Sequence, residues 1–234
     1  MWKSLYLGYG QWAFSTDGKS LGYTDDSKFV DYLNMLIRLQ DSGAVLSQQE
    51  EIARYRRAGV ESRPIVTGKS AMESIWSNQL VALWTAAGES RTFKLNPLPR
   101  PKGGQPESYV HPSMFIAITS HSKHPKEAAI FIDFMTNDEE ANKILLAERG
   151  VPISPKIQAA IAPLLTPPQV ETQNYLALIE TDSSPLPPPD PVSQTKLNDN
   201  LYVPQLIDPV LLKQTSPEDA MARFRKDATA LLQS

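Results

Sequence analysis

Apolar positions along this chain recur at two periods, and the switches between them divide it into elements. Residues 12–23 hold two short apolar and aromatic pieces around Thr16-Asp17-Gly18, which reads as a hairpin turning at the Asp-Gly step. From 25 to 41 the period lengthens to that of a helix. Phe29, Tyr32, Leu33, Leu36, Ile37 and Gln40 trace one face, Asp25 and Asp26 open it, and Gly43 suits the residue past its end. Ser47-Gln48-Gln49-Glu50 is a capping box for a second helix running to Gly59. The pattern next predicts a strand over 70–75, a short amphipathic helix over 77–86 and a strand over 93–99. Met114, Ile116 and Ile118 then alternate with Phe115, Ala117 and Thr119. Both faces of that stretch are apolar, as in a strand buried on both sides.

Helices fill most of the remainder. Pro125 fits the first position of one, and Asn137 with Glu140 makes the cap of the next, which Gly150 ends. Ser154-Pro155 opens a helix to 165, and Thr166-Pro167 another to 181. Residues 192–213 read as helix strained by Pro204 and Pro209, and Ser216-Pro217-Glu218 caps a last amphipathic helix. Two Pro-rich joints interrupt the series, one over 97–112 and one, "SSPLPPPDP", over 183–191. The sum is an α/β chain with helix in excess.

Composition narrows the function classes. With 41% hydrophobic and 21% charged residues, the 234-residue chain is expected to pack a core. A formal charge of −3 offers no field for nucleic acid and no polybasic membrane patch. The absence of Cys removes disulfides, thiolate zinc sites and Cys nucleophiles together. The N-terminal "MWKSLYLGYGQWAF" lacks the basic and apolar regions of a signal peptide.

Candidate chemistry is sparse. Gly68-Lys69-Ser70 resembles the tail of a phosphate-binding loop, but Arg63 stands where the first Gly is required and Pro64 lies inside the loop. The step reads instead as a turn feeding a strand. His121 and His124 have metal-chelating spacing, yet Pro125 starts the helix after them, and a solvated turn is the better reading. "RYRR" (54–57) reads as a solvated helix face. No cofactor or metal is expected. Trp76 is followed by Ser77-Asn78-Gln79 at the start of a helix. An indole face beside amide donors and acceptors is the chemistry that holds a sugar, whose ring offers a C–H face for stacking and a rim of hydroxyls.

The order of these motifs resembles the extracellular solute-binding proteins of family 1, the sugar-type binding components of ABC importers, similar in architecture to maltose-binding protein. The resemblance is carried by "GKSAMESIWSNQLVAL", "KLNPLPRPKGG", the run from "HPSMFIAITS" to "AERGVPIS", and "SPEDAMARFRKDATALL". It implies a periplasmic-binding-protein-like (class II) fold, incomplete, that clamps a solute between two lobes without chemistry. It assigns 1–107 and 152–234 to the C-terminal lobe and 108–151 to a segment returning to the N-terminal lobe, most of which is expected upstream.

By the same resemblance Trp76 stacks on the solute, and Asn78, His111 and Asp190 face the cleft. Trp12 joins them for its aromatic, polar-flanked setting. The implied partners are an oligosaccharide or other small solute and the membrane subunits of an ABC transporter. The implied location is extracellular and attached to the bacterial cell surface, with signal peptide and lipid anchor upstream and Met1 an internal start. Two other classes stay open: a protein-interaction module using residues 185–191, and a hydrolase with an unrecognised site. Without a covering sheet, the apolar 114–146 segment is expected to self-associate.

Overall fold

The computed structural model describes residues 2–88, 90–112, 114–148 and 150–234. Its regular structure is helical. α1 (Trp2–Gly8), α2 (Ser27–Asp41) and α3 (Gln48–Glu50, prolonged by a wider turn over Glu51–Tyr55) come first. α4 (Leu80–Ala87) follows a 3₁₀ turn at Ser77–Gln79. Then come α5 (Pro125–Asn137), α6 (Glu139–Leu145), α7 (Pro155–Ile161) and α8 (Pro167–Glu180). α9 (Gln194–Leu197) and α10 (Asp208–Leu211) flank a wide-wound segment, Asn198–Ile207, and α11 (Pro217–Leu232) is the last. The chain packs as two compact units: Met1–Arg57 with Pro97–Tyr109 and Ser183–Ser234, and Ala58–Asn96 with Val110–Asp182. Their limits are drawn differently from the lobes the family resemblance implies.

The first unit is built on aromatic residues. Every third or fourth residue of α2 and α11 is apolar, so Phe29 and Leu33 face Ala220, Met221, Phe224, Ala228 and Leu232 across one core. α1, which the pattern did not announce, adds Trp2 and Tyr6. Trp2 meets Phe14 and Phe224 edge-on at 5.4 and 5.9 Å, and Tyr6 stacks on Tyr23 at 3.6 Å. Burying a side chain the size of Phe224 contributes about 1.5–3 kcal/mol. Arg225 is held at the rim by Asp26, at 2.6 Å from Nε, and by the Tyr23 carbonyl.

Polar side chains tie the ends of these helices. Gln40 donates to the Leu211 carbonyl, and Gln48 and Arg56 both donate to Asp208. Arg56 of the "RYRR" run is therefore a structural donor, while Arg54 pairs with Glu50 one helical turn back. The hairpin at 12–23 forms with a single bridge, Phe14 to Leu21, and Gly18 takes a φ of 67° at its turn. Pro204 lies inside Asn198–Ile207 and has no N–H to give. Gln205 Nε2 donates to the Asn200 carbonyl, the acceptor an α-helix would have offered to residue 204.

The second unit has a thinner apolar interior: Val66, Leu80, Leu83, Ala141, Ile157, Ile161 and Ile179 are buried. α6 packs on α7, and α4 on α8. Asp138, not Asn137, caps α6, accepting from Ala141 N at 2.8 Å; Asn137 is the last residue of α5 and donates back to Asp133. Leu146 and Ala147, both at positive φ, end α6 ahead of Gly150. Thr166 N and Oγ1 both donate to Gln169 Oε1 and fix the start of α8. Glu171 of α8 accepts from Lys94 Nζ at 2.6 Å and from Leu95 N at 2.9 Å, pinning the 93–96 stretch.

Three sequence expectations fail here. Residues 70–75, 93–99 and 114–119 pair with no strand among the described residues. An extended segment becomes a strand only when another offers it a ladder, and none does. The second helix also ends at Tyr55 rather than Gly59. Ser113 and Arg149, within the quoted family motifs, lie outside the described residues.

Candidate functional site

The turn ahead of α4 positions Trp76. Leu80 and Leu83 sink α4 into the second unit, and Trp76 N donates to Gln79 Oε1 at 3.0 Å, so the 3₁₀ turn is tied at its base. The indole is consequently carried on a fixed backbone while remaining 59% exposed. Asn78 lies in the same turn and is also exposed. His111 stands beside them. Its ring centroid is 6.4 Å from that of Trp76, with the planes tilted by 55°. His111 Nδ1 lies 2.6 Å from the Pro112 carbonyl, which places the ring proton on Nδ1.

Gly68, the residue that suggested a phosphate loop, has another use. It takes a φ of 76°, and a Cβ there would come within 2.5 Å of the Arg91 guanidinium. Arg91 in turn donates to the Ile65 and Val66 carbonyls, so the 63–69 turns are closed by a cation rather than opened to an anion. The expected turn is present; the strand after it is not.

Trp12 and Asp190 come together in the first unit. Both line a cavity of about 20 Å³ with Lys3, Phe14, Pro187 and Pro188. That volume holds about one water. Lys3 Nζ reaches both carboxylate oxygens of Asp190, at 2.6 and 2.7 Å, a pairing with no signal in the sequence. Burial, and secondarily the Asp190 carboxylate, pushes the Tyr109 hydroxyl above its ordinary range. A wider groove of about 660 Å³ runs along Asp17, Gly18, Pro189, Asp190, Lys196 and Leu231, and nothing in the periodicity marks it.

The five residues expected to face a cleft thus fall in two groups: Trp76, Asn78 and His111 in one unit, Trp12 and Asp190 in the other. The first group offers an aromatic face, an imidazole and a carboxamide, suited to stacking and hydrogen bonding. Among the described residues, no cluster of three His, Cys, Asp or Glu side chains could hold a metal ion.

Solved structures share this fold. The chain is similar to an extracellular solute-binding protein family 1 member from Alicyclobacillus acidocaldarius, with 27% identity and a TM-score of 0.81 over 99% of this chain and 57% of that one. It is similar to a periplasmic oligogalacturonide binding protein from Yersinia enterocolitica, solved in complex with saturated digalacturonic acid, at 18% identity and a TM-score of 0.82, with the same 99% and 57% covered. A de novo designed esterase has the same fold too, at 18% identity and a TM-score of 0.77, again over 99% and 57%. The chain therefore spans 57% of the length of these structures, and its fold is an incomplete periplasmic-binding-protein-like one. The family pattern described as bacterial extracellular solute-binding protein matches residues 2–173. The chain belongs to the bacterial extracellular solute-binding protein family.

Proposed function

We propose that this protein serves as the solute-binding component of an ABC importer for carbohydrate, and that the Trp76 indole is the platform on which a sugar ring stacks. The observation that carries the reading is the pair formed by Trp76 and His111, an exposed aromatic face with an imidazole 6.4 Å away and Asn78 in the same turn. Stacking on the indole would take up the C–H face of a pyranose, while imidazole and carboxamide reach its hydroxyls. The oligogalacturonide binding protein among the similar structures makes acidic saccharides the first to try.

The reading keeps 1–107 and 152–234 as one lobe and 108–151 as part of the other. Binding proceeds without chemistry, and the membrane subunits of the transporter are the partners. The protein works outside the cytoplasm, attached to the cell surface. Trp12 ranks below Trp76 because the cavity of about 20 Å³ that it lines is too small for a sugar ring, and Asp190 because Lys3 Nζ already holds both of its carboxylate oxygens.

Titration with saturated digalacturonic acid and a panel of neutral oligosaccharides, followed by tryptophan fluorescence, tests this. A saturable change is expected, lost in Trp76→Ala and weakened at least tenfold, about 1.4 kcal/mol, in His111→Ala. No response from any saccharide, with the remaining portion of a relative supplied, would refute the reading.

A further inference from the structure

We infer that the wide groove of the first unit is a binding site for a short aliphatic peptide with free termini, its ammonium taken by Asp17 and its carboxylate by Lys196. The site is built within one unit and does not rest on the saccharide reading. Three segments wall this space of about 660 Å³: the hairpin turn at Thr16-Asp17-Gly18, residues 189–193 and the end of α11. Ligand sites commonly enclose about 300–1,000 Å³. The first two walls are fixed against each other. Lys3 holds both carboxylate oxygens of Asp190, and a Cβ on Gly18 would come within 3.3 Å of Pro191 Cβ.

The charges left open in the groove are one of each sign. Ser15 Oγ and Lys19 N both donate to Asp17 Oδ1, at 2.6 and 3.0 Å, so Oδ2 has no partner among the described residues. The same hydrogen bonds hold the Asp17 carboxyl below its usual range, and it is charged at neutral pH. Lys196 is exposed, and its Nζ makes no hydrogen bond or ion pair among the described residues. Asp190 is already matched by Lys3. Pro189, Pro191, Val192 and Leu231 add aliphatic lining.

That balance selects the ligand. An anion drawn to Lys196 would meet the Asp17 carboxylate, and a cation would leave Lys196 unmatched. A molecule carrying both charges satisfies each, and an aliphatic body covers the apolar walls. No lining residue is aromatic, so the groove lacks the stacking plate that a sugar ring uses. Three residues of extended peptide span about 10 Å, a length that this volume accommodates.

Calorimetric titration of the full chain with alanyl-leucyl-alanine tests the assignment. One saturable site is expected, weakened about tenfold by Asp17→Asn and about tenfold by Lys196→Ala, as on losing a hydrogen bond to a charged group. Both positions are exposed, and circular dichroism checks that the variants stay folded. Blocked peptides then show which terminus each residue reads. N-acetylation weakens binding to the parent chain about tenfold but has no further effect in Asp17→Asn, and C-terminal amidation behaves likewise with Lys196→Ala. Lys226→Ala, exposed on α11 and outside the groove, leaves binding unchanged. No saturation up to about 10 mM overturns the inference. So does binding that ignores both substitutions, or blocking that weakens parent and variants equally. A peptide response without a saccharide response, or the reverse, separates this inference from the functional reading.

Discussion

Phe224 in α11 and Phe131 in α5 occupy helices that look alike on paper, each with an apolar stripe at helical spacing. One is 1% exposed and the other 57%. The first lies in a core assembled from 1–57 and 183–234, where α2, α11 and the aromatic residues of α1 converge. The second lies on a helix with no buried residue at all. Periodicity states which face of an element is apolar. Whether anything covers that face depends on which other segments fold beside it, and that is information about partners rather than about the element.

The sharpest way to break this contrast is to truncate both rings. Phe224→Ala should cost about 3–5 kcal/mol, as removal of a packed aromatic does. Phe131→Ala should stay within about 0.5 kcal/mol, as for an ordinary surface change. Urea denaturation of the two variants decides it, and comparable losses would mean that α5 is packed after all. A second test stays within the exposed unit. Asp138→Ala removes the cap on α6 and should cost about 1 kcal/mol, whereas Asn137→Ala should cost less. The reverse order would restore the cap that the sequence suggested.

The finest test uses pH. Burial lifts the Glu107 carboxyl of the first unit to about 7. The folded chain holds that proton longer than the unfolded chain, so stability falls as pH rises from the ordinary Glu range to about 7. Glu171 of the second unit behaves the opposite way. Burial opposes its ionisation, but Lys94 and the Leu95 N–H outweigh it and hold the carboxyl below its usual range. The stability it contributes is present above the ordinary Glu pKa and is lost as pH falls through the folded value. Denaturation midpoints measured across pH 3 to 8 should therefore show slopes of opposite sign, flattened separately by Glu107→Gln and Glu171→Gln.

Much of the helical framework was legible because its signals are local. Ser216 accepts from Asp219 N, as its place before Pro217 suggests, and Gly43 and Gly18 take the positive φ their turns need. The family could be read for the same reason, from short runs whose order survives. What escaped the sequence depends on distant residues. Trp2 and Tyr6 gave no sign of a helix because α1 has little polar face to alternate with, being buried on several sides by residues some 200 positions away. Three stretches were read as strands, and none of them pairs with another among the described residues, since pairing belongs to a neighbour. At the candidate site, the sequence setting suggested Trp76 and the family resemblance His111, and only the fold sets the two rings side by side. Lys3 could not have been named as the partner of Asp190 from either position alone.

The core that joins Trp2 to Phe224 also sets a schedule for synthesis. At the roughly 5–20 residues per second of a ribosome, α1 leaves the exit tunnel on the order of ten to forty seconds before its partner ring is made. Throughout that interval Trp2 and Tyr6 have Phe14 and Tyr23 to pack on, but not the ring of Phe224. The core of the first unit therefore stays half-built, with one face of Trp2 open, until α11 emerges.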